Sequence, residues 1–142
     1  MNFADVSPIF GAKRAGTIET ETLSVALIGP DKKRRSVMRK ALADTRRANV
    51  REFDSYPPEV DYMKRLAASF DVIVLDADSD PNAALGLMEK VNAGEMAKFI
   101  VYSERSDPKL AVRALRAGAR EFVQFPLAQG VIDEVLARIA AT

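Results

Sequence analysis

From residue 23 onward, short apolar runs alternate with longer stretches whose apolar positions recur at helical spacing. LSVALIGP (23–30) is an apolar run closed by Gly29-Pro30, the pattern of a parallel strand buried on both faces. Asp31 is placed to cap the helix that follows. There Val37, Met38, Ala41 and Leu42 form an apolar stripe, Arg35 and Arg39 stand off it, and four cations at the start oppose the helix dipole. NVREFDS (49–55) alternates as an edge strand does, and Pro57-Pro58 with Glu59 opens a second helix whose Val60, Met63, Leu66 and Ala67 face inward. DVIVLD (71–76) predicts the central strand, ending on a carboxylate. The acidic turn 78–80 leads into a helix over 82–93 with Leu85, Met88 and Val91 inside. KFIVYS (98–103) is a fourth strand. Asp107-Pro108 opens a helix bearing Leu110, Ala111, Ala114 and Leu115, and Gly118 stops it. REFVQF (120–125) is the last strand; after Pro126, a helix over 127–140 turns Ile132, Val135, Leu136 and Ile139 inward.

Five strands alternating with five helices predict a doubly wound parallel α/β sandwich. A carboxylate ending the third strand favours flavodoxin-like topology, strand order 2-1-3-4-5. Residues 1–21 carry Pro8, Gly11, Gly16 and scattered charges without a sustained period, and read as a flexible leader. Its Val6, Ile9 and Phe10 are apolar enough to dock against something. Residues 22–142 then form one domain. With 142 residues and 48% apolar content, the core is large enough to fold alone.

Composition removes several chemistries. The chain has no Cys and no His, which excludes thiol and imidazole catalysis, disulfides and the common zinc sites. No GxGxxG or GxxxxGK loop is present, and no run approaches the ~20 apolar residues that cross a bilayer. No signal-peptide core follows the start, so the cytoplasm is the default location. The net charge is only +1, but residues 31–51 hold nine Lys/Arg against two Asp. Lys32, Lys33, Arg34, Arg35 and Arg39 lead this run. It reads either as a solvated helix face or as an electrostatic docking surface for an acidic partner or anionic lipid. Aromatic interleaving is missing from it, so nucleic acid is not the expected partner.

The topology brings the C-terminal ends of strands one, three, four and five to one crevice, rimmed by Gly29, Pro30, Asp31, Asp76, Asp78, Ser103 and Phe125. A phosphoacceptor aspartate there needs Mg²⁺ for the incoming oxygens, a lysine to offset their charge and a hydroxyl to sense the product. Asp76 and Ser103 suit acceptor and sensor, and Asp78 has an oxygen to lend a metal. Against this, the first strand ends in Gly29-Pro30 rather than acids, Asp31 is expected to point away as a cap, and Phe125 sets a ring where a cation would serve. Asp76 is thus either an acceptor or a strand-end carboxylate held by backbone N–H groups or Ser103. No other metal site or catalytic constellation stands out. Phe122, on an edge strand that needs cover, packs either under the fourth helix or into a two-fold interface made by the fourth helix, fifth strand and fifth helix.

LSVALIGPDKKRR, FDVIVLDADSD, KFIVYSE and ALRAGAREFVQFP together resemble a response-regulator receiver (CheY-like) domain over roughly residues 22–141. On that resemblance the family's acidic pair falls on Gly29 and Pro30, its phosphoacceptor on Asp76, its Thr/Ser on Ser103, its switch aromatic on Phe122 and its lysine on Phe125. The proline after the lysine is kept as Pro126. Loss of the acidic pair and the lysine marks an atypical receiver. The nearer resemblance is to the N-terminal receiver-like domain of TadZ/CpaE pilus-assembly proteins. It implies a non-enzymatic, self-associating interaction and localisation module, independent of phosphorylation and of any cofactor. The implied setting is a tight-adherence (Flp-type) pilus system, at a cell pole or the inner-membrane machinery, with a ParA/MinD-like ATPase domain as companion. The alternative is a phosphorylatable two-component receiver that uses Asp76 with Mg²⁺ among Asp31, Asp76 and Asp78.

Overall fold

A computed structural model describes residues 22–91 and 97–141 of the chain. The expected leader, 1–21, lies outside them, as do the last residues of the helix expected over 82–93. The elements follow the expected alternation: β1 (Leu23–Ile28), α1 (Lys32–Asp44), β2 (Ala48–Phe53), α2 (Val60–Ser69), β3 (Val72–Asp76), α3 (Pro81–Lys90), β4 (Lys98–Ser103), α4 (Pro108–Arg116), β5 (Ala119–Gln124) and α5 (Val131–Ala140). All strands pair in parallel in the order β2-β1-β3-β4-β5, confirming the flavodoxin-like, CheY-like topology.

The sheet separates two cores. On one face Ala26, Ile28, Ile73, Leu75, Phe99 and Val101 pack under α2, α3 and α4, with the Phe53 and Phe70 rings edge to face at 6.1 Å. On the other, Val25, Leu27, Val72, Val74, Ile100 and Tyr102 pack under α1 and α5. Every residue of β3 is buried, as a central strand covered on both faces requires. Each fully buried Leu, Ile, Val or Phe contributes roughly 1.5–3 kcal/mol, so this strand anchors the crevice at its C-terminal end.

Three expectations need correction. Within α1 and α4 the buried stripe is narrower than read: Met38 with Leu42 and Leu110 with Ala114 are buried, whereas Val37 and Leu115 are 46% and 50% exposed. Each displaced residue lies one position from the stripe, about 100° round the helix. The second helix begins at Val60, because Glu59 is itself extended at φ −155 and ψ 167 and stands as the N-cap. The last helix begins at Val131, because Gly130 takes φ 80 and breaks the chain direction there. Gly118, at φ 113, ends α4 as expected.

Candidate functional site

β1, β3 and β4 deliver their C-terminal ends to one crevice, with Ile28 beside Leu75 and Asp76 beside Tyr102. The residue after β1 has little freedom. A Cβ on Gly29 would run into the Tyr102 hydroxyl and lie 3.1 Å from the Asp76 Cβ. The Tyr102 ring, fully buried, fills the space beneath, and its hydroxyl donates a long hydrogen bond of 3.5 Å to the Ile28 carbonyl. Phe125 stacks on that ring, centroids 5.7 Å apart and planes 14° apart. The two positions where acids and a lysine would serve phosphoryl chemistry are therefore tied into one packing unit, Gly29–Tyr102–Phe125. Burial, and then the charge of Asp76, push the Tyr102 phenol well above its ordinary range.

The charge that this unit lacks enters from α1. Asp31 caps the helix by accepting from the Arg34 backbone N–H at 2.8 Å. That hydrogen bond holds the Asp31 carboxyl below its ordinary value; burial opposes it, and the charges of Arg34 and Lys33 with the Lys33 backbone N–H add to the lowering. The cap fixes Arg34 in the first turn facing the crevice, where its side chain is only 14% exposed. Its Nη2 donates to Asp76 Oδ2 at 3.1 Å and to Ser79 Oγ at 3.0 Å. Its Nη1 stands 3.6 Å from Asp31 and 3.8 Å from Glu104, and its Nε 3.9 Å from Asp78. That Nε is buried without a hydrogen-bond acceptor, so the guanidinium sits at the centre of the acids rather than in a fork with one of them. Burial alone would lower the Arg34 pKa, but the bond to Asp76 and the surrounding carboxylates outweigh it and raise it.

Asp76 is completely buried and both of its oxygens are engaged. Oδ1 accepts from Asp78 N at 2.8 Å; Oδ2 accepts from Ser79 Oγ at 2.7 Å as well as from Arg34. Its backbone carbonyl accepts from the Tyr56 hydroxyl at 2.6 Å, which itself accepts from Asp80 N at 3.3 Å. Burial and then the Asp76 charge raise the Tyr56 pKa far above its ordinary value, which keeps that phenol a donor.

Ser103 does not meet Asp76. Its hydroxyl donates to Asp78 Oδ1 at 2.5 Å, while Asp78 Oδ2 accepts from Glu104 N at 2.7 Å. Arg105 reinforces the arrangement, donating through Nη2 to the Asp78 carbonyl at 3.1 Å and through its backbone N to Ser103 Oγ at 2.9 Å. Asp78 thus clamps the β4–α4 loop, and the hydroxyl expected as a sensor is part of the clamp.

Of the expected pocket residues, Asp31, Asp76 and Asp78 converge, and Arg34 joins them. Ser103 lies one residue's reach further out, Gly29 and Phe125 belong to the packing unit, and Pro30 is exposed on the rim. The donors do not fit a magnesium ion. Gly29 and Pro30 offer no side-chain oxygen, a guanidinium already lies between Asp31, Asp76 and Asp78, and no group of three or more acids among the described residues is arranged to hold a metal. Asp31 does cap its helix, but its carboxylate also faces Arg34, which corrects the expectation that it points away.

The basic run is also reshaped. Arg35 turns back, donating from Nη1 to the Gly29 carbonyl at 2.6 Å and from Nε to Glu52 at 3.0 Å. Arg39 shares Glu52 at 3.4 Å and stays half exposed. Of the five cations read as a docking surface, Arg34 and Arg35 are spent inside the molecule; Lys32, Lys33 and Arg39 face outward. Phe122 is partly buried and packs against the core on the α2–α3–α4 face. Reading from sequence missed Arg34 as a pocket residue, together with Tyr56, Ser79 and Tyr102. The one available signal was Asp31 as an N-cap, which puts Arg34 in the first turn of α1 beside the crevice but does not say which way its side chain turns.

No family model and no curated protein sequence matches the chain. Solved structures do. A pilus-assembly protein (cpaE) of Burkholderia thailandensis is 22% identical with a TM-score of 0.74, covering 85% of this chain and all of that one. A pilus assembly-related protein of Burkholderia pseudomallei is 19% identical with a TM-score of 0.75, covering 89% of this chain and 96% of that one. A response regulator from Thermotoga maritima is 19% identical with a TM-score of 0.68, covering 85% and 99%. The fold is the response-regulator receiver fold, and pilus-assembly proteins are among the structures that share it.

Proposed function

We propose that this receiver-fold chain is a non-enzymatic protein-interaction and localisation module of a pilus-assembly system, acting without phosphorylation. One observation carries the second half of that reading. The Arg34 guanidinium already occupies the position between Asp31, Asp76 and Asp78 that a metal ion and an incoming phosphoryl group would need. A guanidinium stays protonated at all accessible pH values, so this internal counter-ion cannot be titrated away. Phosphorylation would require expelling it, freeing an Asp76 oxygen from Ser79 and supplying a metal that the remaining donors do not hold. The pilus setting rests on the two Burkholderia structures, which share the fold over most of both chains.

In this reading the folded surface docks its partners constitutively. Self-association uses the face of α4, β5 and α5; on α4, Val112 and Leu115 stand 45% and 50% exposed, Val112 toward α3. The companions are pilus-assembly or secretion proteins and a ParA/MinD-like ATPase domain. Among the described residues no helix is long and apolar enough to cross a membrane; the module works in the cytoplasm and reaches the cell pole or the inner-membrane machinery through its partners. Incubating the chain with acetyl phosphate and Mg²⁺, followed by intact-mass measurement, tests the proposal. An unchanged mass is expected, and stoichiometric addition of one phosphoryl group that Asp76→Asn abolishes would replace this reading with a signalling receiver.

A further inference from the structure

A groove of about 420 Å³ opens between α3 and α4, lined by Glu89 of the one and by Pro108, Lys109, Val112, Arg113 and Arg116 of the other. That volume lies within the ~300–1,000 Å³ typical of built binding sites. The α4 residues recur at helical spacing and so share one face, turned away from Leu110 and Ala114, which are buried in the core. The groove's apolar part is Val112, 45% exposed, together with the Pro108 ring and the methylene stems of the basic side chains.

Its charge is unanswered within the fold. Elsewhere on the surface the arginines find acids: Arg35 and Arg39 share Glu52, Arg47 meets Asp133 and Arg138 meets Glu121. Lys109, Arg113 and Arg116 meet no carboxylate among the described residues. Arg113 Nη1 donates instead to Asn82 Oδ1 at 2.7 Å, an uncharged acceptor on α3, which holds one cation in place across the two helices. The helix dipole favours cations in the last turn, where Arg113 and Arg116 lie, but it opposes Lys109 in the first. The shape and the apolar part narrow the ligand. A membrane surface is too flat to enter a groove. A nucleic-acid strand would leave Val112 unused, meet Glu89 with its phosphates and find no aromatic side chain in the lining to stack on. A peptide with carboxylates on either side of an apolar residue answers both halves.

We propose that the α3–α4 groove docks a short acidic segment of another protein. An apolar side chain of that segment covers Val112 and Pro108, and its carboxylates bind Lys109, Arg113 and Arg116. This docking depends neither on the Asp76 site nor on a pilus role.

The test follows amide shifts of the full ¹⁵N-labelled chain at low salt as a short synthetic peptide of Asp and Glu with a central Leu is added. Saturable shifts are expected at Glu89, Lys109, Val112, Arg113 and Arg116, and none at Lys32, Lys33 and Arg39, which carry charge on α1 without a groove. Arg116→Glu is expected to weaken binding about tenfold or more, the worth of one hydrogen bond to a charged group, and Val112→Ser to weaken it as well. Lys64→Glu, the same change of net charge on the exposed side of α2, is expected to leave it intact; unchanged sheet amides show that each variant is folded. Equal binding of the peptide with Asn and Gln in place of its acids would overturn the inference, as would shifts spread over every basic face or no saturable shift at the groove. Tighter binding of a single-stranded oligonucleotide at the same residues would assign the groove to nucleic acid and overturn it. Shifts at Glu89 and Arg113 that appear on concentrating the chain alone would give the groove to a second copy, which also overturns it.

Discussion

An arginine in the first turn of a helix opposes the helix dipole, and in water it would gain little by staying there. Arg34 is held there by what surrounds it: Asp31 fixes its backbone, and Asp76, Asp78 and Glu104 surround its head. Removing one partner of a buried ion pair leaves an uncompensated charge. Arg34→Ala should therefore destabilise the fold by roughly 3 kcal/mol, at the low end for such pairs because Ser79 and Asp78 still donate to Asp76. Arg34→Met with Asp76→Asn should recover most of the loss, and urea denaturation of the three chains measures both effects. Gly29 is constrained as strictly, since any Cβ meets the Tyr102 hydroxyl. Gly29→Asp, which would put an acid back after the first strand, should cost about 1–3 kcal/mol through overpacking and create no cation site. Thermal unfolding with and without Mg²⁺ checks it: equal shifts in both conditions are expected.

At the scale of elements, α1 connects the cap to the crevice. Asp31→Ala should cost about 1 kcal/mol by removing the acceptor for the Arg34 N–H. The pH dependence has a definite sign. The folded-state pKa of Asp31 lies below its ordinary 3.8, so the unfolded chain takes up the proton first as pH falls. Its contribution is present in full above the unfolded value and disappears as pH drops through the lowered folded one. The stability gap between wild type and Asp31→Ala should accordingly be constant near neutrality and close in that acid window, as denaturation at a series of pH values would reveal. The elements themselves were legible because their apolar periods are unambiguous: the β3 run and the α5 positions Ile132, Val135, Leu136 and Ile139 are buried as read. What sequence pattern could not convey was contact across elements. Nothing local shows that Arg34 bends inward while Lys33 faces out, that Tyr102 fills the space a Gly29 side chain would need, or that Ser103 binds Asp78 instead of Asp76. Each depends on how α1, β3 and β4 meet, which one-dimensional spacing does not encode.

For the whole molecule, a closed polar crevice shifts the search for function to the surface. Exposed Val112 and Leu115 lie on one helix together with Lys109, Arg113 and Arg116. Under the proposed self-association, Val112→Glu with Leu115→Glu should weaken dimerisation at least tenfold in sedimentation equilibrium. It should leave the unfolding midpoint nearly unchanged, because both side chains are half exposed and isolated surface changes are worth about 0.5 kcal/mol or less. The central claim, that Arg34 has taken the place of metal and phosphoryl group, is tested most directly by an amide NMR titration with Mg²⁺ and then beryllofluoride, wild type beside Asp76→Asn. The account predicts no saturable shift at Asp76, Ser103 or Phe122 in the folded wild-type chain. Saturable shifts at those residues that vanish in Asp76→Asn would contradict it, and would mean that the guanidinium yields to a phosphoryl mimic.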